Sequence, residues 1–167
     1  MTGGRTPELS RPFAIDRMGE ATHITVAANN AECQAVARRL GIEQVSRLVC
    51  RFALRRWEGA TVQAHGTLTA SVTQICVVSA EPFDSDVTED FEVRFVPEGS
   101  EAVDIDLDSP DEIPYAGGSI DLGEAAVEQL ALALDPFPRK AGAAVPGEAR
   151  EEAEHPFAVL KRLKAED

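Results

Sequence analysis

Two periods of apolar residues run along this chain. Period two dominates. Between Thr22 and Ala28, Ile24 and Val26 point one way and His23 and Thr25 the other, which predicts a half-buried strand. From Ser46 to Trp57, Leu48, Cys50, Phe52 and Leu54 share one face, and Arg47, Val49, Arg51, Ala53 and Arg55 share the other. Glu58-Gly59 suits a hairpin turn. Thr61 to Cys76 then alternates at length, with Val62, Ala64, Leu68, Ala70 and Val72 opposite a row of Thr, Gln, His and Ser. Gly66 reads as a bulge or bend that lets so long a strand curl. Pro82 to Asp86 reads as a turn, Phe91 to Val96 as a strand, and Val103, Ile105 and Leu107 as a last alternating set before a loop from Asp108 to Ser119.

The helical period appears in three places. Ala31 to Leu40 puts Cys33, Val36 and Leu40 on one side, with Asn29 or Asn30 as cap and Gly41 as stop. Ile120 onward is the clearest helix. Asp121 is its N-cap, with Glu124 three residues on, and Val127, Leu130 and Leu134 share a face. Leu132 widens the apolar arc, so most of this helix is expected to be covered. Pro136 stops the helix, and Pro138 carries Arg139 and Lys140 to the surface. Near the end, Phe157, Leu160 and Leu163 recur behind His155-Pro156 as a short amphipathic helix.

These elements predict an α+β fold: a curved antiparallel sheet or partial barrel, with one short and one longer helix packed on it, plus a short C-terminal helix. The divisions expected are a flexible tail over 1–10, one domain over 11–140, a linker over 141–154, and a docking helix with its tail over 155–167. The linker has few large apolar residues. The docking helix is expected to return to its own domain with Phe157 as anchor, because so short a helix needs a surface to bury against.

Composition narrows the class. No apolar run reaches the ~18 residues a membrane span needs, and the N-terminus lacks the apolar segment of a secretory signal. The three cysteines, Cys33, Cys50 and Cys76, are widely spaced and read as reduced thiols of a cytoplasmic protein. Net charge is −13 but unevenly spread. Asp84 to Glu128 holds fifteen acids against one base, and Arg38 to Arg56 six arginines against one acid. Two readings stay open: a dipolar molecule with one basic face, or an acidic half that is only a solvating surface.

Catalytic and metal constellations are missing from the pattern. His23, His65 and His155 are scattered, and no C-x-x-C occurs. Asp104, Asp106, Asp108 and Asp111 have the look of a calcium loop, but Ser109 takes the glycine position and Tyr115 that of the bidentate Glu. No serine has a nucleophile-elbow context. The expectation is a protein without catalytic residues, metal or cofactor.

One set of longer motifs is more specific. I-D-L-x-x-x-x-x-E-Q-L-x-L-x-L-D-P-F-P-R-K, then a loose connection, then H-P-F-A-V-L-K-R-L-K, resembles the YceD family. The G-T-L-T-A-S-V-T-Q-I-C strand, an acidic stretch and F-E-V-R-F-V-P extend the likeness over roughly Val45 to Lys164. The resemblance implies a non-enzymatic factor that supports synthesis, processing or stability of large-subunit ribosomal RNA in bacteria and plastids. Many members of that family carry paired cysteines, described in connection with metal and nucleic acid. This chain departs from that pattern: Val77, Val78 and Ser79 follow Cys76, and no cysteine follows Pro138. Zinc is therefore not carried over.

Two functional readings stand side by side. In one, Arg47, Arg51 and Arg55, spaced four apart on one strand face, hold an RNA backbone with help from Arg56, Arg139 and Lys140. In the other, the acidic surface binds a basic ribosomal protein or a large-subunit assembly factor. The arginines equally suit pairing with the acids of their own chain. His155, Pro156, Phe157 and Leu160 make up the docking motif.

Overall fold

In this computed structural model the described residues are 7–100 and 110–144. The linker from residue 145, the docking motif His155, Pro156, Phe157 and Leu160, and the set Val103, Ile105 and Leu107 lie outside them.

Strand β1 (Pro12–Ala14) and a single 3-10 turn (Ile15–Arg17) lead to β2 (Thr22–Ala27) and α1 (Asn30–Leu40). Three long strands follow: β3 (Gln44–Arg56), β4 (Val62–Ile75) and β5 (Pro82–Pro97). Then come β6 (Asp111–Tyr115), β7 (Ser119–Asp121) and α2 (Leu122–Ala133). The main sheet has the order β2-β3-β4-β5-β6, and β1 and β7 form a separate antiparallel pair. Every pairing in the main sheet is antiparallel except β5 with β6, which is parallel. The sheet stays open, with β2 and β6 at its edges. The fold is thus α+β, as the alternation predicted.

One face of the sheet is the core. Val26, Leu48, Cys50, Phe52, Leu54, Ala64, Leu68, Val93 and Phe95 join Cys33 and Val36 of α1 and Val127 and Leu130 of α2 in one buried cluster. Each α1 terminus has its own cause. Asn29 accepts from the Glu32 N–H at 2.9 Å, and the Glu32 carboxylate accepts from the Asn29 N–H at 2.8 Å, a complete capping box. Gly41 closes the helix at φ 66°, a left-handed conformation that favours glycine.

Several expectations change. The Pro82–Asp86 turn is strand: β5 is continuous, and the chain reverses earlier, between Cys76 and Glu81. Its alternating acids are a strand's polar face, tied down by β4 hydroxyls. The loop expected over 108–119 contains β6 and begins β7. The helices, at 11 and 12 residues, are nearly equal in length. Leu132 is exposed rather than covered, because α2 buries the face carrying Ala126, Val127 and Leu130. The tail expected as far as Ser10 already packs at Leu9, which is fully buried.

Gly66 also has a different role. The single register shift in β3–β4 falls between Val45 and Arg47, not at Gly66. Phe52, Gly66 and Phe91 lie opposite one another across three strands. The Phe91 ring occupies the space a Cβ at Gly66 would need, and it meets Phe52 edge-on with centroids 5.8 Å apart. Glycine is required there so that one aromatic ring can lie across the neighbouring strand.

A striped sheet face as the candidate functional site

The face of the sheet turned away from the helices is polar and organised in columns. The bulge between Val45 and Arg47 sets the phase of β3, so Arg47, Arg51 and Arg55 all point outward and stand exposed. A spacing of four residues places successive arginines about 13 Å apart along the strand. The next column, on β4, is Ser71, Thr67 and Gln63, each opposite one of these arginines. The third, on β5, is Asp86, Asp90 and Arg94, in register with them.

The β4 column keeps the carboxylates occupied. Thr67 donates to Asp90 at 2.7 Å, Ser71 to Asp86 at 2.7 Å and Thr73 to Asp84 at 2.6 Å. Gln63 donates to Glu92, and His65 lies 3.5 Å from the same carboxylate. Among the described residues, no ion pair joins Arg47, Arg51 or Arg55 to any acid. The arginine column and the acidic column therefore coexist on one face as separate stripes of opposite sign.

At the hairpin end the stripes converge. Trp57, 41% exposed, has the Arg55 guanidinium 5.1 Å and the Arg94 guanidinium 5.2 Å from its ring centroid. Arg55 also donates to Gln63 at 2.5 Å. Phe52, in the opposite phase, is core and takes no part. Arg94 could not be found from local pattern, since its place beside Arg55 depends on the register of three strands.

The other candidate cations are elsewhere. Arg56 faces the opposite way and donates to the Ile15 carbonyl at 2.9 Å. Arg139 and Lys140 lie against the far end of β4, where Lys140 pairs with Glu81 at 3.0 Å and Arg139 is exposed. Arg39 is held by Glu8 and Glu124, while Arg38 is exposed in the last turn of α1.

Cys76 sits at that far end in a ring of donors. The N–H groups of Val78, Ser79 and Lys140 each point at its Sγ from 3.4 Å. The Ser79 hydroxyl is the strongest of the interactions that lower its pKa to about 6, followed by the Ser79 and Lys140 N–H groups. Burial pushes Cys33 up, and Cys50 up to about 12, so Cys76 titrates well apart from both. With the folded pKa below the unfolded one, the thiolate's contribution to stability is present above the ordinary thiol range and is lost as pH falls through about 6. Ser79→Ala is expected to move the Cys76 midpoint upward in a pH titration of thiolate ultraviolet absorbance, leaving the other two thiols in place. The surroundings do not fit a zinc site. Ser79 stands where a second thiolate would be needed, and the remaining donors are N–H groups. Among the described residues no group of three or more His, Cys, Asp or Glu could hold a metal.

No helix among the described residues is long and apolar enough to cross a membrane. No curated protein and no solved structure matches the chain. One family model does, over residues 64–164, and its description is large ribosomal RNA subunit accumulation protein YceD. The match covers more than half of the chain, from near the start of β4 through α2 to the end of the H-P-F-A-V-L-K-R-L-K motif.

Proposed function

Because the chain belongs to the YceD family, whose description ties it to accumulation of the large-subunit ribosomal RNA, we propose that it acts there as a non-enzymatic factor that binds RNA along the β3 arginine stripe. The observation that carries this reading is the exposure of Arg47 and Arg51 without an acidic partner among the described residues. Exposed guanidiniums without a carboxylate partner can take phosphate oxygens in bidentate fashion. Trp57 offers a ring for an unstacked base. The acids of β5 repel a backbone that strays from β3, which confines the RNA to one line.

The acidic column supports a second reading, an adaptor for a basic ribosomal protein or assembly factor. Asp84, Asp86 and Asp90 form one row, and each takes a single hydroxyl from β4, with a second carboxylate oxygen left over.

Salt titration of binding to a large-subunit ribosomal RNA transcript separates the two. Changing Arg47, Arg51 and Arg55 together to Glu is expected to weaken binding and to flatten its salt dependence by a slope of roughly two to three, at ~0.7–0.9 for each phosphate no longer neutralised. Folding should persist, since these side chains are exposed. Unchanged affinity and slope sink the RNA reading. Capture of a basic protein that survives ribonuclease, and is lost when Asp84, Asp86 and Asp90 become Asn, supports the adaptor instead.

A further inference from the structure

Trp57 apart, the large hydrophobic residues exposed among the described residues all lie at one end of the molecule. Ile75, 42% exposed, ends β4, and Val77, 54% exposed, comes two positions later. Leu132, 70% exposed, is in the last turn of α2, and Phe137, 69% exposed, is in the proline turn beyond. Beside them an open cavity of about 390 Å³ lies between the end of α1, the end of β4 and the end of α2. Leu40, Ile42, Ile75 and Leu134 give it apolar walls, and Glu43 and Asp135 give it acids. Grouped apolar exposure around a concave surface marks a docking site rather than ordinary scatter.

The described chain stops at the same place. Val77 N–H donates to the Pro138 carbonyl at 2.9 Å, Lys140 N–H to Cys76 Sγ at 3.4 Å, and Ala143 N–H to the Lys140 carbonyl at 3.0 Å. These bonds hold the chain beside the cavity almost to Ala144. About ten residues then precede His155, a reach of roughly 30 Å when extended, so the span sets no obstacle. The segment that begins at His155 matches the cavity chemically. Phe157, Leu160 and Leu163 supply the apolar side, and Lys161, Arg162 and Lys164 the charge opposite to Glu43 and Asp135. The family match runs to Lys164, so the segment lies in the same matched stretch as β5 and α2.

We propose that the segment from His155 to Lys164 folds back onto this end of its own domain, with Phe157 seated in the cavity between α1, β4 and α2. The proposal is independent of RNA binding. It gives the exposed apolar patch its cover.

Hydrogen exchange on the full chain tests it. Amides from Ala158 to Leu163 are expected to exchange at least ~10-fold more slowly than in an unfolded chain. Ile75→Lys puts a cation on the apolar wall and is expected to abolish that protection while the β4 amides stay slow. Phe157→Ala, outside the sheet, is expected to do the same, and it decides alone if Ile75→Lys disturbs folding. Exchange at the unfolded rate in the unsubstituted protein overturns the proposal. So does protection that survives Phe157→Ala, that fades on dilution and so belongs to a second copy, or that appears only when another macromolecule is added.

Discussion

Phe52→Ala is expected to cost about 3–5 kcal/mol and to lower the melting temperature by roughly 6–20 °C in a thermal unfolding scan. Phe52 is among the largest fully buried side chains, 1% exposed, on β3 between β2 and β4. The cost depends on how far neighbours can collapse into the void. Here they cannot go far. The residue opposite is Gly66, which has no side chain to move inward. Phe91 already spends its ring covering that glycine, edge-on to Phe52. The loss should therefore fall in the upper part of the range, and Phe52→Leu should recover much of it. A loss below ~1.5 kcal/mol, the size seen for volume-conserving swaps, would mean the aromatic row is not a packing unit.

Asp121→Ala is expected to cost about 2–4 kcal/mol, far more than an ordinary cap. Its Oδ1 accepts from the N–H of Gly123 at 2.9 Å and of Glu124 at 3.1 Å, which caps α2. The same oxygen accepts from the Arg11 N–H at 2.8 Å, and Oδ2 accepts from the Ser10 hydroxyl at 2.5 Å. Removing one carboxylate thus leaves the first turn of a helix and the entry to β1 unsatisfied together. Asp121→Asn keeps one acceptor and should lose less. Urea unfolding reads both, as a lower midpoint at an unchanged slope. A cost near 1 kcal/mol for Asp121→Ala would show that only the cap matters.

Much of this architecture was legible in the sequence because the buried face and the exposed face differ sharply in chemistry. In β3 and β4, residues such as Leu48, Phe52 and Leu68 alternate with Arg, Thr and Ser, and the strands follow. Asp121 and Gly41 mark helix ends by chemistry that acts within a few residues. β5 was half hidden. Asp84, Asp86 and Asp90 fill its outer face, but Glu89 breaks the inner one, so the alternation fades where the charge is densest. β6 and β7 are 5 and 3 residues long, and β6 contains Pro114, which suits its place at the sheet edge.

The site was legible in one dimension only. The four-residue spacing predicts that Arg47, Arg51 and Arg55 share a face, and the exposed column agrees. It cannot say what stands next to them. That β4 hydroxyls would engage the β5 acids, leaving Arg47, Arg51 and Arg55 without an acidic partner among the described residues, follows from register, which is set by contacts far apart in sequence. Arg56, Arg139 and Lys140 were added to the stripe for their charge, and the fold places them away from it. The donor ring around Cys76 was invisible for another reason: it consists largely of backbone N–H groups, which no residue name announces.

The bond from Ser10 to Asp121 bridges 111 positions of sequence. β1 likewise has β7 as its partner, so β1 must wait for a strand made more than a hundred residues later. During synthesis Arg11 can already meet Glu32, but β1 has no strand partner until β7 has emerged. The hairpins of β3, β4 and β5 need no such delay, since each pairs with its neighbour in sequence. Vectorial production of this chain therefore has a built-in order, with the central sheet first and the N-terminal segment fastened as the closing step.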